Sequence, residues 1–232
     1  MRVGIICACN DELMPFLESM QNYETKEKSK LKFYCGNING VSTFASLSGI
    51  GKVNAAIAAQ ILIDTFKVDI VINSGTAGGM DPDLKILDTV ISTEAVYHDI
   101  TPDVFVSLNP WMKSEYFPAD PKLIKASENA VKKLNPPHKV YWGTMATGDK
   151  FIETDGRQAI INKYVPLSVD METAGIAHAC LLSEVPFISV RCITDTAEHS
   201  GTGTFEENCR AASVIARDIT VALIDELTQI TE

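Results

Sequence analysis

Short apolar runs alternate with amphipathic stretches along the chain. The run over 3–8 is continuously apolar and ends in small residues, which predicts a buried strand. Leu13, Phe16, Leu17 and Met20 then share one helical face. Pro15 belongs in a first turn, so the helix is expected to start near Asp11 or Glu12. The apolar runs 31–38 and 41–47 flank Asn39-Gly40, a strong hairpin signal. Next comes Ser48-Gly49-Ile50-Gly51-Lys52, then an apolar helix through Ala56, Ile57, Ile61 and Leu62. A second buried strand, 68–73, runs into the glycine loop Ser74-Gly75-Thr76-Ala77-Gly78-Gly79.

The second half repeats the alternation. A strand is predicted over 90–97, then an aromatic, Pro-rich loop over 98–118 without clear period, a length usually reserved for lids or interfaces. Asp120-Pro121 caps a helix to about Leu134. A strand over 140–147 leads to Gly148-Asp149-Lys150-Phe151-Ile152, a helix around 156–164 and a strand over 167–170. Met171-Glu172 opens a helix through Ile176 and Cys180. The most continuous apolar strand, 187–193, ends at Thr194-Asp195. Thr204 and Glu207 read as a capping box for a last helix to about Gln229. Strands and helices alternate with short connections and no linker. The expectation is one α/β domain over 1–232 with a mixed sheet, the hairpin being antiparallel.

Composition narrows the function. The 232 residues carry 20 Lys+Arg against 30 Asp+Glu, a net charge of −10, which argues against general binding to nucleic acid or anionic lipid. The N-terminal apolar run is too short for a signal peptide, and no stretch reaches the ~20 apolar residues of a membrane helix. A cytoplasmic protein is expected, its six cysteines reduced and mostly buried. His98, His138, His178 and His199 show no metal-ligand spacing, and His178 reads as a satisfied core histidine.

Glu12, Glu172 and Asp195 all fall at carboxyl ends of predicted strands, where open α/β sheets bind ligands. Each alone is equally a first-turn acid favoured by a helix dipole; together they resemble a proton-transfer site. The glycines at 49, 51, 75, 78 and 79 allow either close packing or close approach of backbone to a ligand. Phe151 could stack on a flat ring or be ordinary core.

Several segments together resemble one family: Val3-Gly4-Ile5-Ile6 with Glu12, residues 48–53, Asn73 to Gly79, Tyr97-His98-Asp99, residues 148–152, Val169-Asp170-Met171-Glu172, and Arg191-Cys192-Ile193-Thr194-Asp195. Their order and spacing are similar to bacterial 5′-methylthioadenosine/S-adenosylhomocysteine nucleosidases of the nucleoside phosphorylase superfamily, over nearly the whole chain. The resemblance implies a three-layer α/β/α fold with a central mixed twisted sheet, a homodimer, and hydrolysis of the N-glycosidic bond to adenine in methionine salvage. It implies no metal or cofactor and small adenine nucleosides as partners.

Carried over by position, Asp195 would protonate adenine N7 and Glu12 would activate water, with Thr76 and Arg191 placing it. Glu172 would hold the ribose hydroxyls, with Met171 against the sugar. Phe151 would stack on adenine and the Ile152 backbone would read its edge. Ala8, Ile50, Ala77, Gly78, Asp170 and Thr194 would complete the site, and Phe105 would enter from a partner subunit. Thr76 and Thr194 stand where Ser is common, and Asp170 where Glu is common. Residues 196–201 and the 100–117 loop depart from the pattern. A phosphorylase would need arginines for its anion, yet Asn73-Ser74 precede Gly75, and Cys9-Asn10-Asp11-Glu12 replaces an Arg-bearing loop. The alternatives are an aminodeoxyfutalosine nucleosidase, a purine nucleoside phosphorylase and a non-catalytic nucleoside-binding protein.

Overall fold

A computed structural model describes residues 1–230. In chain order the elements are β1 (Arg2–Cys7), α1 (Asn10–Ser19), β2 (Gln21–Lys28), β3 (Leu31–Ile38), β4 (Val41–Leu47), α2 (Lys52–Phe66), β5 (Ile70–Gly79) and β6 (Thr89–Tyr97). There follow α3 (Pro102–Leu108), β7 (Tyr116–Pro118), α4 (Pro121–Leu134), β8 (Val140–Thr147), α5 (Arg157–Tyr164), β9 (Ser168–Asp170), α6 (Thr173–Leu182), β10 (Phe187–Asp195) and α7 (Thr202–Ile230).

One mixed sheet runs in the order β10-β6-β8-β9-β5-β1-β4-β3-β2, and β10 also pairs with β5. The strands β5, β10, β6, β8 and β9 therefore close a ring, from which β1, β4, β3 and β2 extend as an open wing. Alternate side chains of the strands go to opposite faces. Ile5 and Ile72 pack with Leu13, Phe16, Leu123 and Leu223 from α1, α4 and α7. Ile6 and Val71 pack with Ala55, Leu62, Ile176 and Cys180 from α2 and α6. The result is the expected three-layer α/β/α arrangement.

The ring creates a gap. β5 pairs with β1 through Ile70–Asn73 and with β9 only at Gly78 and Gly79. On that side, between them, no ladder partner among the described residues serves residues 74–77, although β10 pairs with β5 from Val71 to Gly78 on the other. Such a switch of neighbours at strand carboxyl ends opens a crevice.

Several expectations need correction. The stretch 74–79 is the second half of β5 rather than a loop, because β10 pairs alongside it. Likewise β10 extends to Asp195. α1 starts at Asn10, which puts Pro15 in its second turn. β2 is a fully exposed polar edge strand with no apolar alternation to betray it. The 98–118 stretch contains α3 and β7. α7 starts at Thr202, so the Thr204–Glu207 capping box does not form; Thr204 lies in the first turn, its hydroxyl 3.5 Å from the Ser200 carbonyl. The expected cap at Asp120 is present, accepting from the Lys122 and Leu123 amides at 2.8 and 3.1 Å. All six cysteines are free, and four are buried. Among the described residues no helix is long and apolar enough to cross a membrane.

Candidate active site

A cavity of about 280 Å³ occupies the gap beside β5. Ala8 and Glu12 reach it from the end of β1 and the start of α1, and Thr76, Ala77 and Gly78 from the one-sided stretch of β5. Arg191, Thr194 and Asp195 come from the end of β10, and Asp170, Met171 and Glu172 from the β9–α6 junction. Ile50, Phe151 and Ile152 close it from two loops. Every residue expected at the site except Phe105 is thus brought together. Phe105 packs in its own chain against Tyr97, Phe117 and His178.

Glu12 is almost fully buried and held at both oxygens. Oε2 accepts from the Ala8 and Cys9 amides at 2.7 and 3.3 Å. Oε1 accepts from the Thr76 amide at 2.7 Å and the Thr76 hydroxyl at 2.9 Å. The Thr76 N–H is one of the donors that β1 leaves unpaired, so the gap in the sheet supplies the carboxylate's seat. Gly75 makes that seat possible. A Cβ there would lie 2.3 Å from the Glu12 carboxyl carbon. The close approach expected of this glycine is therefore to a protein carboxylate.

Arg191 is the buried cation of the site, 1% exposed. Its Nη1 donates to the Thr76 carbonyl at 3.0 Å and its Nη2 to Glu172 Oε2 at 3.1 Å. Glu12 lies 3.5 Å away and Asp170 3.6 Å. Burial alone would make the guanidinium easier to deprotonate; Asp170, Glu12 and Glu172 more than reverse this. Asp170 lines the wall, but its carboxylate is engaged within the protein by the Thr147 hydroxyl at 2.7 Å, the Glu172 and Thr173 amides at 3.0 Å, and the Thr173 hydroxyl.

Glu172 sits just before α6, with Oε1 accepting from the Gly51 amide at 3.0 Å. Burial pushes its carboxyl up to about 7, against the pull of Arg191 and with a further push from Asp170. Asp195 is also buried, which raises its pKa, while the Thr194 hydroxyl at 2.9 Å and the charge of Arg157 draw it part of the way back. Phe151 is half-exposed at the mouth, edge-on to Phe205 at 6.2 Å between centroids. The Ile152 side chain is buried among Met80, Val96 and Ile160. His178 is half-satisfied rather than satisfied: its Nδ1 is 3.3 Å from the Tyr97 hydroxyl, and its Nε2 has no partner among the described residues.

Sequence reasoning missed Cys9, Lys150, Val169, Thr202, Phe205 and Glu206, which also line the cavity. Phe205 lies at the start of the last helix in the expected and the observed structure alike; what the sequence does not show is that this helix end returns to the cavity.

The family model of the phosphorylase superfamily matches residues 2–225. The 5′-methylthioadenosine/S-adenosylhomocysteine nucleosidase of Pseudoalteromonas translucida (strain TAC 125) is 37% identical over 235 residues, 99% of each chain. A nucleosidase structure of the same description from Colwellia psychrerythraea 34H, in complex with adenine, superposes with a TM-score of 0.90 at 33% identity, covering 98% of this chain and 96% of that one. The Neisseria meningitidis structure, in complex with methylthio-immucillin-A, gives a TM-score of 0.89 at 30% identity, covering 96% and 98%.

Proposed function

The chain belongs to the phosphorylase superfamily, among the 5′-methylthioadenosine/S-adenosylhomocysteine nucleosidases, and on that premise we propose that it hydrolyses the N-glycosidic bond of these two nucleosides. The products are adenine and the corresponding 5-thioribose. The observation that carries the choice of water over phosphate is the commitment of Arg191. Its guanidinium donates to the Thr76 carbonyl and to Glu172 and lies within 3.6 Å of Glu12 and Asp170, its Nε making no hydrogen bond among the described residues, so three carboxylates face one buried cation. An anionic nucleophile is repelled there and a neutral one is not.

The residues divide the work by position. Asp195, whose carboxyl burial makes harder to ionise, gives its proton to adenine N7, because adenine leaves poorly as an anion. Water attacks C1′ from beside Glu12, which takes one of its protons on the lone pair that the Thr76 hydroxyl vacates by rotating away. Positive charge growing on the ribosyl centre is met by the net negative cavity. Glu172 accepts hydrogen bonds from the ribose diol, as a carboxylate with two free lone-pair directions does well. Phe151 stacks on the base, and the Ile152 backbone, anchored by its buried side chain, reads the edge.

A homodimer completes this reading. Ile50, Val53 and Ile57 around the start of α2, and Val104, Leu108 and Trp111 of the α3 region, are exposed and apolar, and a second copy would cover them. Phe105 of the partner subunit would then border the 5′-substituent. The free thiols favour a reducing, cytoplasmic location.

The test is adenine release from methylthioadenosine, S-adenosylhomocysteine, 5′-deoxyadenosine, aminodeoxyfutalosine, adenosine and inosine, each with and without phosphate. Release from the thio-nucleosides without phosphate is expected. A phosphate requirement with ribose 1-phosphate as product would overturn the hydrolytic assignment, and a marked preference for aminodeoxyfutalosine would move the substrate. A monomeric mass by light scattering at micromolar concentration would remove the dimer.

A further inference from the structure

Three strand-end segments meet at the edge of the cavity: residues 49–52 after β4, 98–99 after β6 and 148–152 after β8. Lys52 Nζ lies 2.6 Å from both carboxylate oxygens of Asp99 and 3.6 Å from Asp149 Oδ2. Asp99 Oδ2 accepts from the Asp149 amide at 3.0 Å. Asp149 Oδ1 in turn accepts from the Lys52 amide at 2.9 Å, which closes a ring of contacts. The Lys52 ammonium also lies 5.2 Å from the centre of the Tyr97 ring. None of the three charged residues lines the cavity.

Each is next to something that does. Gly51, the residue before Lys52, donates its amide to Glu172 at 3.0 Å. It has φ +101°, and a Cβ on it would lie 3.2 Å from Asp149 Oδ1, so glycine alone fits that turn comfortably. Phe151 stands two residues after Asp149. We infer that Lys52, Asp99 and Asp149 form a buckle that holds the ribose-binding Glu172 contact and the base-stacking Phe151 loop in one fixed arrangement. What is bound there rests on the nucleosidase reading; the buckle does not. Lys52, Asp99 and Asp149 are thus positioning residues. Loss of the buckle loosens contacts made alike to bound substrate and transition state, so it acts on KM more than on kcat.

The experiment compares Lys52→Met, Asp99→Asn, the double variant and Lys52→Arg with the wild type. Either single variant is expected to raise KM about ten-fold with kcat within about two-fold, and to weaken adenine binding by calorimetry in proportion. The double variant is expected to match the singles, and Lys52→Arg, whose fork can serve two carboxylates, to recover most of the affinity. A role confined to fold stability would lower the folded fraction and hence apparent kcat, with KM unchanged; that result, or full additivity, overturns the inference. Amide exchange in residues 50–52 and 148–152 is read without any ligand. Faster exchange in both segments of Asp99→Asn supports the buckle and unchanged exchange overturns it, even if the wild type releases no adenine and the nucleosidase reading itself fails.

Discussion

Glu12→Gln probes the most constrained point of the site. The carboxylate accepts four bonds, two at each oxygen: Ala8 and Cys9 amides on Oε2, Thr76 amide and hydroxyl on Oε1. A glutamine offers one oxygen. Turned toward Ala8 and Cys9, that oxygen keeps both bonds there, since a backbone N–H cannot accept. The amide nitrogen then faces Thr76, whose hydroxyl can swivel from donor to acceptor. The Thr76 N–H alone is left against another donor. The Thr76 N–H loses one charge-assisted bond and stays buried without an acceptor, about 1.5–3 kcal/mol, and removal of the carboxylate charge 3.5 Å from the buried Arg191 adds to this. The opposite flip orphans two amides and is disfavoured. For a chain of this length about 1 kcal/mol moves Tm by about 2–4 °C, so the variant should fold and melt at least about 3 °C lower. Hydrolysis should fall at least ~10²-fold, because an amide cannot take the proton of water. Nucleoside binding should persist, since Glu172 and Phe151 are untouched. Scanning calorimetry gives the first number, and adenine release followed by absorbance gives the second. A melt within about 1 °C of the wild type would refute the bond count, and adenine release above about a tenth of wild type would refute the catalytic role.

Asp195 must be protonated to act, so kcat/KM should decline as pH rises through its burial-raised pKa; Asp195→Asn should lose about 10²–10⁴-fold and this limb with it. Thr194→Val removes the hydroxyl that favours the ionised form, so the limb should move to higher pH, and a move to lower pH would show that the hydroxyl does not donate to Asp195. Glu172 titrates at about 7 and accepts from both ribose hydroxyls only when ionised, so KM should fall as pH rises through that value and Glu172→Gln should flatten the profile. Because its folded pKa lies above the ordinary 4.5, the stability this group contributes is full below about 4.5 and lost as pH climbs to about 7; denaturant midpoints of wild type and Glu172→Gln across that window test the sign. Gly75→Ala puts a methyl 2.3 Å from the Glu12 carboxyl carbon, so a folded protein with adenine release reduced at least about ten-fold is expected, and unchanged turnover would show that the seat of Glu12 can move freely.

The legible parts of the fold are those whose chemistry is one-sided in sequence. β1 and β10 are buried on both faces, so they read as mainly apolar runs, broken in β10 by Ser189 and Arg191. β2 is polar on both faces and fully exposed; only its ladder to β3 makes it a strand, and no local pattern carries that. The stretch 74–79 reads as loop because small residues and glycine lack strand propensity, and tertiary pairing with β10 overrides this. The site followed the same division. Glu12, Glu172 and Asp195 could be placed because carboxylates at strand ends are conspicuous. Phe205 could not, because its presence at the cavity depends on how residues 196–201 bring the start of α7 back to the crevice, and no local pattern carries that.

The choice between water and phosphate shows what geometry adds to a residue count. In the sequence no arginine stands just before Gly75 or in Cys9-Asn10-Asp11-Glu12, which is what speaks against a phosphorylase there. The structure contains an arginine in the cavity all the same, delivered from β10 rather than β5. A buried guanidinium near a ribose site would ordinarily favour an anion. Here Nη1 donates to the Thr76 carbonyl and Nη2 to Glu172, with Glu12 and Asp170 within 3.6 Å, and the proposed preference for a neutral nucleophile follows from that surplus of carboxylate. The decisive quantity is therefore the number of carboxylates per cation at the crevice. Glu12 enters that count only because Gly75 lacks a side chain and β1 stops short of Thr76. The same gap in the sheet that opens the cavity thus seats the carboxylate on which the proposed preference for water rests.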